Sequence, residues 1–563
     1  MTQPTNKRLV TESAQATALA VKAPINNPTF TGTVSGVTKS MVGLGSVDNT
    51  ADSAKPVSTA QQTALDLKAP LASPTFTGTV SGVTKSHVGL GNVDNTSDVN
   101  KPVSTAQQTA LNLKVAKGEL VYRVKDYGAT GDGSTDDATN INACLTAART
   151  ARPFTTQRPK VLFDMGIYII GAVLNCAGLV IEGYGATVKS KASITGFNML
   201  QAFNGSVSIY GLTIDANKAN TTAPGTPTSN ACAIYTHQAT GGLIGEIRDV
   251  TVINCHGPAL RISSTTDASD SFNALSTPAH VINLTTDGCL NGVWINGGRN
   301  VTISYSHFYN SGAEAVWWNI SRSITVDHCV VDTTGVTVAN SQGIADFYSY
   351  GSRITNNYVR NTKFAGICIG GGSTTLVPSR KFTIANNICE NNDYHGITID
   401  PTKSNALFTS QVCYGTITGN VCEANGFVAT NGNGIYVHNA AEVTVTGNEC
   451  ANNYWSGVVL DGLRLSASGN VCTGNGLYGI ELRKDSSSTD HGYYSIAANT
   501  LVNNTTQNLF ISTLLTTLNT VGIVYTADIE VADSTKGTIL QSPNGTRWRI
   551  TVGNDGALTT TGL

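Results

Sequence analysis

Along most of the chain, apolar and polar residues alternate in short runs that open on a small residue. The pattern Gly-apolar-x-apolar-x recurs at Gly292, Gly343, Gly366, Gly396, Gly434, Gly457 and Gly479, with Ala233, Ala259 and Ala315 in the glycine's place elsewhere. A period of two over so few residues predicts short strands with one inward face. Successive starts from Ala233 are 26, 33, 23, 28, 23, 30, 38, 23 and 22 residues apart. Each interval holds a second alternating run, such as Val301–Ile303, Phe382–Ile384, Thr416–Ile417 or Val443–Val445, and asparagines recur at Asn357, Asn387, Asn420, Asn448, Asn470 and Asn499. Strands of one kind returning at this interval, with turns at fixed places, predict coils stacked asparagine upon asparagine: an all-β chain built as a parallel β-helix. The pattern continues to about Ser512, and Val524 to Leu563 reads as a small β appendage with a turn at Ser542, Pro543, Asn544 and Gly545.

In each run the apolar positions face the coil interior, so the intervening positions face outward. The first outward row reads Tyr235, Arg261, Trp294, Trp317, Ala345, Cys368, Thr398, Tyr436, Val459, Glu481. The second reads His237, Ser263, Asn296, Asn319, Phe347, Gly370, Asp400, His438, Asp461, Arg483. Coils ~4.8 Å apart turn these rows into stripes on one face. Tyr235, Trp294, Trp317 and Tyr436 offer flat apolar platforms of the kind that sugar rings stack on, flanked by Asn296, Asn319, Arg261 and Arg483 as hydrogen-bonding groups. The same aromatic rings would equally serve to bury a neighbouring subunit.

Asp400, His438 and Asp461 fall on consecutive coils, which places the two aspartates ~9.6 Å apart at the backbone. Side-chain lean brings their carboxyls toward the ~6.5 to 9.5 Å separation of an inverting glycoside hydrolase. Glu481 beside Asp461 gives a closer, retaining pair near ~5 Å, and His438 would tune either acid. Asp346 stands in an inward slot where a carboxylate is costly, so the strand either bulges or holds it for a purpose. Glu314, next to Ala315 and the Trp317–Trp318 pair, is a further candidate acid. On a uronic acid substrate, lyase chemistry becomes available instead, with His438 or Tyr436 as proton-transfer group and Arg483 neutralising charge, or with His237 and Arg261 in those roles. Asp400 before Pro401 and Asp461 before Gly462 also suit strand ends as turn formers.

Charged residues are only 13% of the chain, against roughly 25% in ordinary soluble domains. A net charge of -2 leaves no basic surface large enough for nucleic acid, and no apolar run approaches a membrane span. The opening MTQPTNKRLV lacks the apolar core of a secretion signal, so synthesis in a cytoplasm and release by lysis or within a particle is expected. Of the twelve cysteines, Cys389, Cys422, Cys450 and Cys472 each follow a repeat asparagine by two residues, which predicts a ladder of buried thiols in place of disulfides or metal ligands. No cofactor and no metal is expected: the Gly131–Asp137 segment GDGSTDD lacks the alternating ligands and closing glutamate of a calcium loop.

A different repeat precedes the strands. Residues 23–68 recur at 69–114 with a period of 46, so that Phe30 becomes Phe76. Each copy joins a Thr/Val/Gly-rich run to a short helical stretch after Ser58 or Ser104, with too little apolar area for a monomeric core. These copies resemble the N-terminal modules of phage tail fibres and tailspikes. The segment VKDYGATGDGSTDDATNINACLTAA at Val124–Ala148 then places Gly128, Gly131 and Gly133 in a tight turn, Asp136 and Asp137 at a helix start, and Ile141, Leu145 and Ala148 on one face, able to cover the open end of a strand stack. This segment resembles the opening of the pectate-lyase-like right-handed β-helix superfamily found in many phage depolymerases.

The two resemblances imply a homotrimeric phage tailspike. Residues 1–115 would form the stalk that attaches to a phage tail or baseplate protein, 116–150 the neck and helix cap, 151–512 the β-helix, and 513–563 a trimerisation or capping appendage. They imply location in the virion tail and action on host capsule or O-antigen polysaccharide, by glycosidic hydrolysis or, as the alternative, by a lyase reaction. A non-catalytic receptor-binding fibre and a purely structural virion protein are the rivals from other classes. An esterase is disfavoured because no GxSxG elbow occurs.

Overall fold

The computed structural model describes residues 121–512 except 151–157, 204, 225–230, 239–243, 265–278, 371–378, 401–410, 429–430 and 484–492. It also describes 538–562 except 542–545 and 553–556, and pieces of 35–45, 57–66, 81–89 and 104–107. Residues 1–102 and 103–563 form two separate units. The strand-like runs of the N-terminal repeats and the turn expected at Ser542–Gly545 lie outside the described residues.

In the first unit, Thr59–Asp66 is helical, as the stretch after Ser58 predicts. Its start is a reciprocal cap: the Gln61 backbone N–H donates to Ser58 Oγ, and the Ser58 N–H donates to Gln61 Oε1, both at 3.1 Å. In the second unit, Ser104 and Gln107 repeat the arrangement at the same distances. Two otherwise orphaned helix-end donors are thereby satisfied in each copy.

The second unit is a right-handed parallel β-helix. One coil consists of Val293–Asn296, Val301–Ser304 and His307–Tyr309; the next, of Val316–Asn319, Thr325–Asp327 and Val330–Asp332. Each strand pairs in parallel with its counterpart one coil away. Each coil thus carries a third strand beyond the two expected from sequence, and in Ile388–Glu390, Val421–Glu423, Glu449–Ala451 and Val471–Thr473 that third strand bears the cysteines. Cys389, Cys422, Cys450 and Cys472 stack in register, fully buried. All twelve cysteines are free thiols.

The repeat glycines are required by close approach between coils. A Cβ on Gly434 would stand 2.6 Å from the Gly457 carbonyl oxygen, and one on Gly457 2.7 Å from that of Gly479. The asparagines run through the interior as an amide ladder. Nδ2 of Asn357, Asn387, Asn420, Asn448 and Asn470 each donates to Oδ1 of the next at 2.9 Å, ending at Asn499. A second ladder, five residues later, links Asn392, Asn425, Asn453, Asn475 and Asn504. Buried amides are tolerated because each rung also donates to a backbone carbonyl, as Asn420 does to Ile384.

The helix Ala138–Thr150 buries Ile141, Cys144, Leu145 and Ala148 against the strands at the start of the stack. Asp137 is fully buried and accepts the Thr130 and Gly131 N–H groups, while Asp136 accepts the Ala138 N–H. The tight turn and the helix start are tied together in this way. Near the C-terminus, Thr538–Gln541, Arg547–Val552 and Leu558–Gly562 form an antiparallel three-stranded sheet. Among the described residues no helix is long and apolar enough to cross a membrane.

Candidate functional site

The first outward row is a continuous ladder and the second is interrupted once. In the first, Tyr235, Arg261, Trp294, Trp317, Ala345, Cys368, Thr398, Tyr436, Val459 and Glu481 pair successively. In the second, pairing runs from His237 to Asp400 and from His438 to Arg483. Between these halves the ladder reaches Ile399 and Val437, one residue short of Asp400 and His438. Facing outward does not mean exposed: Ala345, Cys368, Thr398, Val459, Asp461 and Glu481 are all buried. Larger neighbours lean across the small ones, as Phe347 does over Gly370, where a Cβ would meet its ring at 2.4 Å.

Where the rows cross the coils of Asp400, His438 and Arg483, they line a cleft of about 650 Å³. Its walls include Phe347, Phe364, Tyr394, His395, Asn433 and Trp455. His395 and Asn433 belong to the column just before each repeat glycine or alanine, of which the sequence singled out only Glu314. A partial signal was available there: Asn291, Glu314, Gln342, His395, Asn433 and Ser456 are polar, although Cys232, Pro258, Ala365 and Tyr478 interrupt the column.

Behind the cleft wall, Asp461 Oδ2 lies 2.8 Å from Nδ1 of the lining residue His438, and the Asn439 amide lies 2.7 Å from Nε2. Because a carboxylate only accepts, Nδ1 carries a proton in this pair. The Tyr436 ring stacks on His438 at 5.4 Å and 12°, and on His395 at 4.7 Å and 25°. Burial pushes the Tyr436 phenol above its usual value, so it remains a proton donor at neutral pH. His395 is pushed down to about 3 by burial and by the Arg483 and His438 charges. Its Nδ1 accepts the Asn433 N–H at 3.0 Å, so the neutral ring carries its proton on Nε2.

Arg483 closes the cleft. Its Nε lies 2.5 Å from Glu481 Oε1 and its second nitrogen 3.1 Å from Oε2, which also accepts the Ser456 hydroxyl at 2.8 Å. Burial works against the guanidinium charge, but Glu481 raises its pKa further and keeps it a cation.

The remaining candidates lie elsewhere. Asp346 is not displaced by a bulge: it pairs in register with Trp318 and Ile369 and is buried inside the coil. Ser379 Oγ donates to it at 3.0 Å, and burial raises its pKa to about 6 against the opposing hydroxyls of Ser352, Ser349 and Ser379. Sealed within the core, Asp346 has no route to a polymer. Glu314 receives the Asn291 amide at 3.3 Å, with its pKa raised by burial. Trp294 and Trp317 stack at 5.0 Å and 7°, with Arg261 over Trp294 at 4.3 Å and over Tyr235 at 4.8 Å. Asn296 and Asn319 flank this platform one row over. His237 lies against Phe203 and Tyr235, away from the cleft. Among the described residues no group of His, Cys, Asp and Glu is arranged to hold a metal ion.

Residues 270–418 match the family model described as right handed beta helix region. The particular structures that resemble this chain include the Azotobacter vinelandii mannuronan C-5 epimerase AlgE4 A-module, at 19% identity over 71% of this chain and 100% of that one, TM-score 0.49. The Dettilon tailspike protein gp208 is similar at 14% identity over 84% of this chain and 82% of that one, TM-score 0.45. The pre-mature gene product 12 of bacteriophage phi29 is similar at 15% identity over 74% of this chain and 54% of that one, TM-score 0.46. The likeness is one of fold. No curated protein matches the sequence.

Proposed function

We propose that the chain is a polysaccharide-processing enzyme that acts on uronic acid units by abstracting the proton beside the carboxylate, with β-elimination of the glycosidic oxygen as the outcome. The observation that carries the reading is the cleft's combination of an Asp461-paired imidazole, a protonated phenol and a fixed guanidinium. His438 Nε2 takes the proton once the Asn439 amide yields that nitrogen, and Asp461 stabilises the imidazolium that results. The freed electron pair moves into the carboxylate, where Arg483 and the neutral His395 oppose the developing charge. As the carbon–oxygen bond to the leaving sugar breaks and a carbon–carbon double bond forms, the Tyr436 phenol protonates the departing oxygen. Atoms and electrons balance without any cofactor.

Hydrolysis by Asp400 with Asp461 or Glu481, the arrangement expected from register alone, is the weaker reading. The Asp461 carboxylate is buried and committed to His438, and Glu481 is committed to Arg483 and Ser456. Asp400 lines the cleft and would contact substrate hydroxyls. For the whole chain we propose the setting that its repeats resemble: a homotrimer held by its N-terminus on a phage tail or baseplate and acting on host capsule or O-chain.

The test is incubation of the full chain with polymannuronate, polygalacturonate and host surface polysaccharide. New chain ends with the ultraviolet absorbance of an unsaturated uronide support the elimination. New reducing ends without that absorbance overturn it in favour of hydrolysis. Uptake of solvent deuterium beside the carboxylate without chain shortening replaces elimination with epimerisation, and binding without any product leaves a receptor-binding fibre.

A further inference from the structure

Just past the second outward row, the turn between the first two strands of each coil carries a third column. Arg299, Arg322, Tyr350 and Arg380 pair successively by isolated parallel bridges, placing them on consecutive coils. The column is roughly 14 Å long. Arg322 sits over the Tyr350 ring at 5.0 Å, and Lys381 Nζ lies 5.3 Å from the same ring. Arg353, on the strand that follows Tyr350, is exposed.

Four cations, Arg299, Arg322, Arg380 and Lys381, thus gather with Tyr350 along one column of four coils. Like charges stacked one coil apart repel. Burial and then the adjacent Arg322 charge hold the Arg299 pKa below its ordinary value.

Two coils of the column coincide with the Trp294–Trp317 platform. Both indole N–H groups and Asn319 Oδ1 are buried there without a hydrogen-bond partner. The stacked indoles themselves offer a flat apolar face of the kind that sugar rings pack on. At its other end the column stops at Arg380, one coil before the strand that brings Thr398 and Asp400 into the cleft.

We propose that this face is a track for a polyanionic polysaccharide lying along the helix axis, with sugar rings on Trp294 and Trp317 and their acidic groups at Arg299, Arg322 and Arg380, feeding the cleft from its N-terminal side. The proposal rests on the reading of the cleft as a uronate site and adds its mode of action: the enzyme engages the interior of long anionic chains, and several coils of binding surface contribute to affinity before any bond is broken. Salt weakens such binding, and removal of the carboxyl charge from the polymer abolishes most of it.

The test compares the full chain with the Arg299→Gln/Arg322→Gln double variant and with Trp317→Ala, on long polymannuronate or polygalacturonate, on their short fragments, and on the carboxyl-reduced polymers. The double variant is expected to raise KM on long chains roughly tenfold and to erase the advantage of long over short, while flattening the salt dependence of binding. Trp317→Ala is expected to weaken long-chain binding on native and carboxyl-reduced polymers alike. Unchanged long-chain KM and salt dependence, or equal losses on short and long fragments, overturn the track. So does loss of subunit association in Trp317→Ala with polymer binding intact, since the platform would then be a subunit contact. If the native chain binds these polyanions without altering them and the double variant releases them, the track stands and the proposed chemistry falls. If cleavage is robust and indifferent to both variants, the reverse holds.

Discussion

Asp461 lies 2.8 Å from Nδ1 of His438 across one coil boundary, with the two residues in parallel register. The stack, and not a flexible loop, therefore sets the tautomer of the imidazole. Asp461→Asn keeps the shape of the side chain but can present an N–H to Nδ1. It is expected to lower the turnover rate by ~10² to 10⁴-fold with little change in KM, because the charge that stabilises the imidazolium is gone. Steady-state kinetics alongside a melting curve decide the matter: native turnover in a folded variant removes His438 and Asp461 from the chemistry.

Tyr436 is assigned as the proton donor because burial raises its pKa above the ordinary 10.0. The native enzyme should then keep the activity due to this group up to and beyond that pH. Tyr436→Phe should lose about 10²-fold in rate at every pH while still binding polymer. A rate–pH profile of both proteins checks this, and a native alkaline limb well below pH 10.0 that vanishes in the variant would assign Tyr436 as a base instead.

Asp346 makes a prediction about stability. Its pKa rises from 3.8 to about 6 on burial, so between those values the folded chain holds a proton that the unfolded chain has released. The stabilising contribution is fully present below the unfolded value and is lost as pH rises through the folded one. The difference is on the order of 3 kcal/mol. Asp346→Asn, which cannot ionise, should gain stability relative to the native chain as pH increases from about 4 to 7. Paired melting temperatures across that range measure it, and a constant difference between the two proteins contradicts the assignment.

Asn420 donates to Ile384 O and Asn448 Oδ1 while accepting from both the backbone and the side chain of Asn387. Asn420→Leu leaves several buried groups unpaired and is expected to cost about 3 to 5 kcal/mol. The terminal rung Asn499, slightly exposed, should tolerate the same change better. Unfolding rates in denaturant are the suitable measure, since a long stack is expected to unfold irreversibly.

The register of both outward rows was legible in the sequence because a period of two and a marked small residue fix which face each side chain takes. The thiol ladder and the first amide ladder were legible for the same reason. The third strand of each coil was not, because a three-residue strand such as Ile388–Glu390 has a single inward residue and no alternation to read. The second amide ladder was visible in principle, five residues after the first. The cleft itself was only half legible. Tyr436, His438 and Arg483 come from the predicted rows and His395 from the column before the repeat glycines, but Trp455 and Phe364 lie in turns, where no periodicity announces which side chains converge. Burial along the rows also escaped prediction, because it depends on which neighbour leans over which gap, as Phe347 does over Gly370.

The amide ladders carry a consequence for how such a molecule can change. Each rung from Asn387 to Asn470 offers the same donors and acceptors above and below, so excising or duplicating one whole coil would let the spine rejoin without a mismatch. The chemistry has no such indifference, because His438 meets Asp461 only as its immediate neighbour. Length is thus a free variable of the scaffold, whereas the spacing between these two residues is fixed at a single step, and an inserted coil between them would yield a well-folded, inert protein.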